Sequence, residues 1–323
     1  MSLLKKQTVT AENEPQIKLP YRLIPFMNGR KWGYLFSVLV ISLSLFCVIT
    51  KGFNWGLDFT GGTVLDMSFS QAANVGEIRS TLEKNNIDGA LVQNSGSVRD
   101  VIIRLPATLD SASVGTDVKQ LLQNLDKNLV VHSIEYVGPN VGEELTQSAI
   151  YATLATLLML LVYIGMRFEW RLALGAIASL AHDVIVTLGF FSLLQIEMDL
   201  TFVAAILTVV GYSLNDSIVV FDRVRENIRK IRRTETFDII NISLSQTLSR
   251  TLMTSATTLV VVLSLLIFGG PSIHSFSVAL LIGIGFGTYS SIFVAIALAY
   301  DLGLKREHML PPKVDKDDLD EIP

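Results

Sequence analysis

Six long apolar stretches dominate the chain, near 32–50, 145–166, 172–194, 200–221, 248–268 and 274–300. Each is long enough for a helix to cross a hydrocarbon core, which takes roughly 20 residues. Polar residues collect in the gaps. Most of the later gaps are short turns, one is a basic loop over 223–247, and a long mixed segment over 51–140 separates the first two stretches. The pattern predicts a polytopic α-helical membrane protein with six transmembrane helices and one small α+β domain between helices 1 and 2.

Inside 51–140 the period shortens. Residues 63–68 alternate after the turn signal Gly61-Gly62, which predicts a strand. Over 75–86, Ile78, Leu82 and Ile87 recur near helical spacing, with Glu77, Arg79, Glu83 and Lys84 between them. Residues 90–93 and 101–105 are strand-like around Asn94-Ser95-Gly96. A second helix is expected over 113–128, with Val114, Val118, Leu121, Leu122 and Leu125 on one face, and a strand over 130–137 closes the set. This βαββαβ order predicts a ferredoxin-like, split-βαβ domain. It holds no cluster with metal-ligand spacing. His132 stands alone and reads as a packed or solvated strand residue, and the domain as a docking or substrate-contact module rather than an enzyme.

Composition agrees with a membrane protein: half of the 323 residues are hydrophobic, 17% are charged, and the mean hydropathy is +0.47. A net charge of -4 gives no reason to expect nucleic-acid binding. The single cysteine, Cys47, excludes an intrachain disulfide. The first thirty residues are polar and contain proline, so no cleavable signal peptide is expected.

Charge sets the orientation. Eighteen Lys and Arg fall on one side: Lys5, Lys6, Lys18, Arg22, Arg30 and Lys31; Arg167 and Arg171; Arg223, Arg225, Arg229, Lys230, Arg232 and Arg233; Lys305, Arg306, Lys313 and Lys316. The two short loops on the other side, 195–199 and 269–275, have none. The positive side is expected to be cytoplasmic. This divides the chain into a cytoplasmic segment 1–31, helix 1 over 32–50, a periplasmic domain 51–140, helices 2–6 within 141–304 and a charged cytoplasmic tail 305–323. The run Arg223–Arg233 reads as an amphipathic helix on anionic membrane lipid.

Ionisable residues inside spans are costly and face a partner or a water path. His182 and Asp183 lie near the middle of span three, Asp216 about six residues in from the cytoplasmic end of span four, roughly 9 Å deep, and Arg250 near the start of span five. At those depths Arg250 can reach Asp216, giving a buried pair fit for proton exchange. The alternative is that Arg250 snorkels to the interface while Asp216 serves as a structural hydrogen-bonder. His182 and Asp183 point about 100° apart, so each is expected to need its own partner, for proton relay or for interhelical hydrogen bonding. The hydroxyls Thr247, Ser249, Thr251, Thr254, Ser255, Thr257 and Thr258 bond their own helix or line a wet path. Gly283, Gly285 and Gly287 permit close packing or a bend in span six. No nucleotide-binding run G-x-x-x-x-G-K-[ST] is visible, and neither is a nucleophile or metal constellation. No cofactor and no enzyme activity are expected.

Three stretches, in order, resemble the SecD/SecF preprotein translocase family. They are Gly56-Leu57-Asp58-Phe59-Thr60-Gly61-Gly62-Thr63, then Val137-Gly138-Pro139-Asn140-Val141-Gly142, then Gly211-Tyr212-Ser213-Leu214-Asn215-Asp216-Ser217 running on to Phe221-Asp222-Arg223-Val224-Arg225-Glu226-Asn227. The single small external domain is similar to the SecF branch, since that of SecD is far larger. The resemblance implies the resistance-nodulation-division superfamily and a bacterial inner-membrane subunit that uses the proton motive force. Its implied partners are SecD, the SecYEG channel, YajC, YidC and exported unfolded proteins. Asp216 and Arg250 inherit the proton-coupling role; His182, Asp183 and Asn215 are candidates for a polar relay; Gly56, Asp58, Gly61, Gly62, Asp222 and Arg223 belong to the family motifs. A further relay Asp belongs to SecD. The competing readings are a half-size proton-coupled exporter of a small or lipidic molecule and a non-catalytic membrane scaffold.

Overall fold

A computed structural model describes residues 23–94, 97–107, 113–231 and 234–309. The expected features at Lys5, Lys6, Lys18, Arg22, Ser95, Gly96, Arg232, Arg233, Lys313 and Lys316 lie outside the described residues.

Six helices among the described residues are long and apolar enough to cross a membrane. The first is α1 (Arg30–Lys51), entered through a tight turn at Phe26–Gly29. Then come α5 (Pro139–Arg167), α6 (Trp170–Leu194), α7 (Leu200–Lys230) and α8 (Thr236–Phe268). The sixth runs as α9 (His274–Ser290), a wide π turn (Ser291–Ala295) and α10 (Ile296–Asp301). In the most apolar window of each, 50%, 44% and 61% of residues are buried for α6, α7 and the sixth helix, against 22%, 11% and 17% for α1, α5 and α8. Three helices therefore form an inner layer and three surround it. The inner helices close up where a side chain is missing. Gly175 lies against Ala295, Gly283 against Val209, and Gly189 against Ser44 of α1, with no room for a Cβ at any of them.

Two stretches depart from the pattern reading. The segment 223–247 is mostly helix: α7 continues to Lys230 and α8 begins at Thr236. The extension is held by Glu226, which accepts from Arg223 at 2.6 Å and Lys230 at 2.6 Å. Its inner face packs on α8, where Asn227 donates to Ser243 Oγ at 2.8 Å and Gln246 Oε1 at 2.9 Å. It is thus a straight continuation of span four, not a separate helix lying on the lipid. The irregularity of span six is the π turn at Ser291–Ala295, beyond Gly283–Gly287.

The folded domain contains β2 (Gly62–Ser68), α3 (Val75–Lys84), β3 (Leu91–Asn94), β4 (Asp100–Leu105), α4 (Val114–Gln123) and β5 (Val130–Val137). The sheet order is β3-β4-β2-β5, and every pairing is antiparallel. β2 is central, with Thr63 opposite Leu105 on one side and Tyr136 on the other. Alternation along β2 and β4 sends Leu65, Met67, Val101, Ile103 and Leu105 to one face, where Ile78 and Leu82 of α3 and Val118 and Leu122 of α4 cover them. Leu125, expected on that face, lies beyond the end of α4 and is 45% exposed.

Between α1 and the sheet runs a short connection that the pattern did not reveal: β1 (Asn54–Trp55) and the one-turn α2 (Leu57–Thr60). β1 pairs in parallel with β6 (Glu197–Met198), in the loop between α6 and α7. Gly56 N donates to Met198 O at 2.8 Å, and a Cβ on Gly56 would stand 2.8 Å from that same oxygen. Gly62 sits at φ 116°, and a Cβ there would collide with the Leu105 carbonyl. Gly62→Ala is therefore expected to destabilise the junction by about 1–3 kcal/mol, read as a lower unfolding temperature of the detergent-solubilised chain. A surface Gly76→Ala control, inside α3, is expected to leave that temperature unchanged or raised.

Candidate functional site

The polar centre of the membrane part lies where α6, α7 and α9 meet. Asp183, 1% exposed, is its hub. Its Oδ2 accepts from Ser213 Oγ of α7 at 2.5 Å and from Ser290 Oγ of α9 at 2.8 Å. Ser179, one turn before Asp183, donates to Ser290 Oγ at 2.8 Å. Gly287 permits this convergence: a Cβ there would sit 3.2 Å from Ser213 Cβ and 3.5 Å from Asp183 Oδ2.

His182 Nδ1 lies 2.9 Å from Asp183 Oδ1. The expectation that the neighbours need separate partners is corrected here. An angle of 100° separates the Cβ directions, but Oδ1 and Nδ1 both lie near the backbone, so side-chain rotation brings them together. With Asp183 ionised, Nδ1 is the donor and Nε2 is the remaining ring position. Nε2 is buried and has no hydrogen-bond partner among the described residues. The ring lies 6.3 Å from Phe286 and 6.0 Å from Tyr289, whose hydroxyl donates to Gly33 O of α1 at 2.6 Å.

Asp216 follows Ser213 by one helical turn on α7. It is 3% exposed, and its Oδ2 has no hydrogen-bond partner among the described residues. Arg250 acts on it electrostatically but makes no ion pair with it within 4 Å among the described residues. The expected buried pair is corrected: Arg250 is on the exposed side of α8. Asn215 is also exposed, turned 100° from Asp216, so it stands outside the polar centre. The hydroxyls of α8 divide. Thr247, Thr254, Thr257 and Thr258 bond carbonyls of their own helix, while Ser255 reaches Thr288 of α9 at 2.7 Å.

The motif residues sit at the two ends of the helices. Asp222 pairs with Arg167 of α5 at 2.8 and 3.0 Å, and Arg223 donates to Gln246 Oε1 of α8 at 2.5 Å. They fasten the end of α7 away from the domain. At the domain end, Asp58 Oδ2 accepts from Leu200 N at 2.8 Å, and Asp199 Oδ1 accepts from Phe202 N at 2.8 Å. Two carboxylates thereby cap the N-terminus of α7, where the helix dipole favours negative charge.

The same loop is held by the folded domain. Arg104, on β4, pairs with Glu197 and also reaches Asn54 Oδ1 at 3.4 Å and Trp55 O at 3.5 Å. Ser275, at the start of α9, donates to Glu197 O at 2.8 Å. Burial pushes the Glu197 carboxyl above the usual carboxylate range, although Arg104 and a hydrogen bond from the Leu57 backbone act in the opposite direction. Sequence reasoning missed this contact: 93 residues separate Arg104 from Glu197, and neither stands in a motif. It missed Ser179, Ser213 and Ser290 too; their signal, small hydroxyl residues inside inner spans, does not distinguish them from other serines. On the domain, His132 is not alone: its Nε2 lies 2.7 Å from Ser68 Oγ, which also donates to Asp100. That bond holds the Asp100 carboxyl below its ordinary range. The serine stands between the other two, so the histidine is not oriented by the aspartate as a general base would be.

The family comparisons fit this arrangement. The family model described as protein export membrane protein SecD/SecF, C-terminal, matches residues 117–305, and the SecD/SecF GG motif matches residues 48–73. A protein translocase subunit SecF from Haemophilus influenzae is 69% identical, over 95% of this chain and 94% of that protein. That from Escherichia coli O157:H7 is 48% identical, over 93% and 94%. The chain belongs to the SecF subunits of the SecD/SecF family. The crystal structure of SecDF, a translocon-associated membrane protein from Thermus thermophilus, superposes with a TM-score of 0.79 at 37% identity, over 87% of this chain. A SecDF structure in a super-membrane-facing form gives 0.65 at the same identity, over 90%. This chain spans only 39% and 40% of those two longer chains. The family's GG motif thus coincides with the glycine junction, and its C-terminal region with the polar centre.

The Glu197 environment gives a pH prediction. A carboxyl with a raised folded-state pKa binds its proton more readily when folded. Its contribution to stability is present at low pH and lost as pH rises through the folded value. Removing Arg104 raises that value further and leaves a half-buried carboxylate unpaired. Arg104→Met is expected to cost about 1–3 kcal/mol at pH 8, with a smaller deficit at pH 5. Unfolding temperatures of both chains across that range measure it.

Proposed function

We propose that this SecF-family chain is a proton-coupled half of a twelve-span export machine. It sits in the bacterial inner membrane with both termini cytoplasmic. Beside SecD and the SecYEG channel, with YajC and YidC as further partners, it helps to complete translocation of unfolded proteins. Residues 51–140 form its periplasmic domain. The antiparallel order β3-β4-β2-β5 supports a ferredoxin-like split βαβ, because the two strands flanking α3 are separated by β4. The length of the SecDF chains supports a partner half, and the name of the first, translocon-associated, supports the channel. The relatives' names leave a small-molecule exporter without support.

The observation that carries proton coupling is the Asp216 carboxylate, buried in an inner helix with Oδ2 unbonded. A carboxylate so placed changes its charge state when water or a cation reaches it and when they leave. Asp183 acts differently. Three donors satisfy it, so it holds α6, α7 and α9 together and sets the position of Ser213, one turn from Asp216. His182 Nε2 is the open position of the same cluster. The loop at Glu197 joins this centre to the periplasmic domain, because α7 begins there and Asp216 lies sixteen residues along it, about 24 Å.

The two aspartates should respond differently to neutralisation. Asp216→Asn is expected to insert and to co-purify with SecD at normal levels, while export dependent on the proton motive force falls to that of cells lacking the chain. Asp183→Asn is expected to lower the unfolding temperature, at a cost of about 1–3 kcal/mol, with export per folded molecule largely kept. Full export by the Asp216→Asn chain rejects proton coupling through this residue and favours the scaffold reading.

A further inference from the structure

At the end of the spans away from the folded domain, α5 and α7 enclose an open cleft of about 510 Å³ lined by Arg167, Asp222, Arg225, Glu226, Arg229 and Lys230. Four basic and two acidic side chains leave it positive. The acidic ones are already engaged: Asp222 holds Arg167 through two oxygens, and Glu226 holds Lys230 and Arg223. Arg225 comes no closer than 3.8 Å to Asp222, and Arg229 makes no ion pair among the described residues. These two arginines are one i,i+4 step apart on α7, so they face the same way. Arg167 and Arg225 lie 5.0 and 6.0 Å from the ring of Phe168, which holds both guanidinium groups at the cleft edge.

The cleft opens where the bare apolar ridge of α5 ends. Leu158, Val162 and Met166, the last 84% exposed, run down α5 to Arg167. Acyl chains against that ridge bring a headgroup to the arginines. We infer that the cleft binds the phosphate of an anionic phospholipid, of the phosphatidylglycerol or cardiolipin class. A guanidinium pair matches phosphate oxygens in bidentate geometry, and the net positive cleft selects an anionic headgroup over a zwitterionic one.

The test is lipid titration of the full chain in neutral detergent, read by unfolding temperature and by native mass spectrometry. Phosphatidylglycerol is expected to raise the unfolding temperature and to stay bound, whereas phosphatidylethanolamine does neither. Arg225→Gln/Arg229→Gln is expected to weaken phosphatidylglycerol binding about tenfold. Glu226→Gln, which removes a negative charge from the cleft, is expected to tighten it. Equal responses to the two lipids, unchanged binding in the double variant, or a full response to inorganic phosphate alone would each overturn the assignment. If the double variant fails to fold, weaker or unchanged binding by Glu226→Gln overturns it independently.

Discussion

Inside a bilayer a carboxylate must find its hydrogen-bond donors within the protein, and Asp183 imposes that requirement on three helices at once. An ionised group at the centre of a span costs about 2.5–3.5 kcal/mol on insertion scales. A hydrogen bond to a charged group returns about 1.5–3 kcal/mol. One donor is barely sufficient, and three are ample. Asp183 takes one from its own helix and one from each of two neighbours, so α6, α7 and α9 can separate only by leaving a buried carboxyl without its partners. The glycines at these crossings let the helices approach closely enough for the bonds to form. The outer helices are fastened by polar contacts of their own, Tyr289 to Gly33 of α1, Asp222 to Arg167 of α5 and Thr288 to Ser255 of α8, because lipid tails are as apolar as their surfaces and burial alone does not hold them.

Asp216 is the counterexample that gives the arrangement chemical use. It is as buried as Asp183, yet one of its oxygens is unbonded. The same arithmetic that makes Asp183 a fixed point makes Asp216 sensitive to whatever enters or leaves its surroundings. The two are joined by a single turn of α7 through Ser213. At its domain end α7 starts from a loop held by Asp58, Arg104, Ser275 and the β1–β6 pair, which belong to three other parts of the chain. The domain and the helix that carries the Asp216 carboxylate therefore share this loop.

How much of this was legible in the sequence depended on whether the signal was one-dimensional. The number and order of the spans, the domain elements and the long gap between helices 1 and 2 follow from periodicity, while helix boundaries differ by up to twelve residues, α8 starting at Thr236 rather than near 248. The end of α7 is read too early and the start of α8 too late, because Arg223, Arg225 and Arg229 look like a loop until Glu226 and Asn227 are seen to satisfy their neighbours across the helix and on α8. The motif Gly56–Gly62 could be recognised but not explained. Its meaning lies in contacts with Met198, Leu200 and Leu105, which no local pattern predicts. Arg104 and Glu197 gave no signal at all.

The Asp216–Arg250 reading shows where such inference stops. Asp216 is sixteen residues from Leu200 and Arg250 eighteen from Phe268, both measured from the domain side, or about 24 and 27 Å. The two groups thus lie at similar distances along their helices from that side. What the sequence does not supply is azimuth. On a helix each residue turns the side chain by 100°, so a group at the right depth is still more often facing elsewhere than facing its partner. Asp216 points into the inner layer and Arg250 away from it. Their mutual electrostatic influence without an ion pair follows from that geometry.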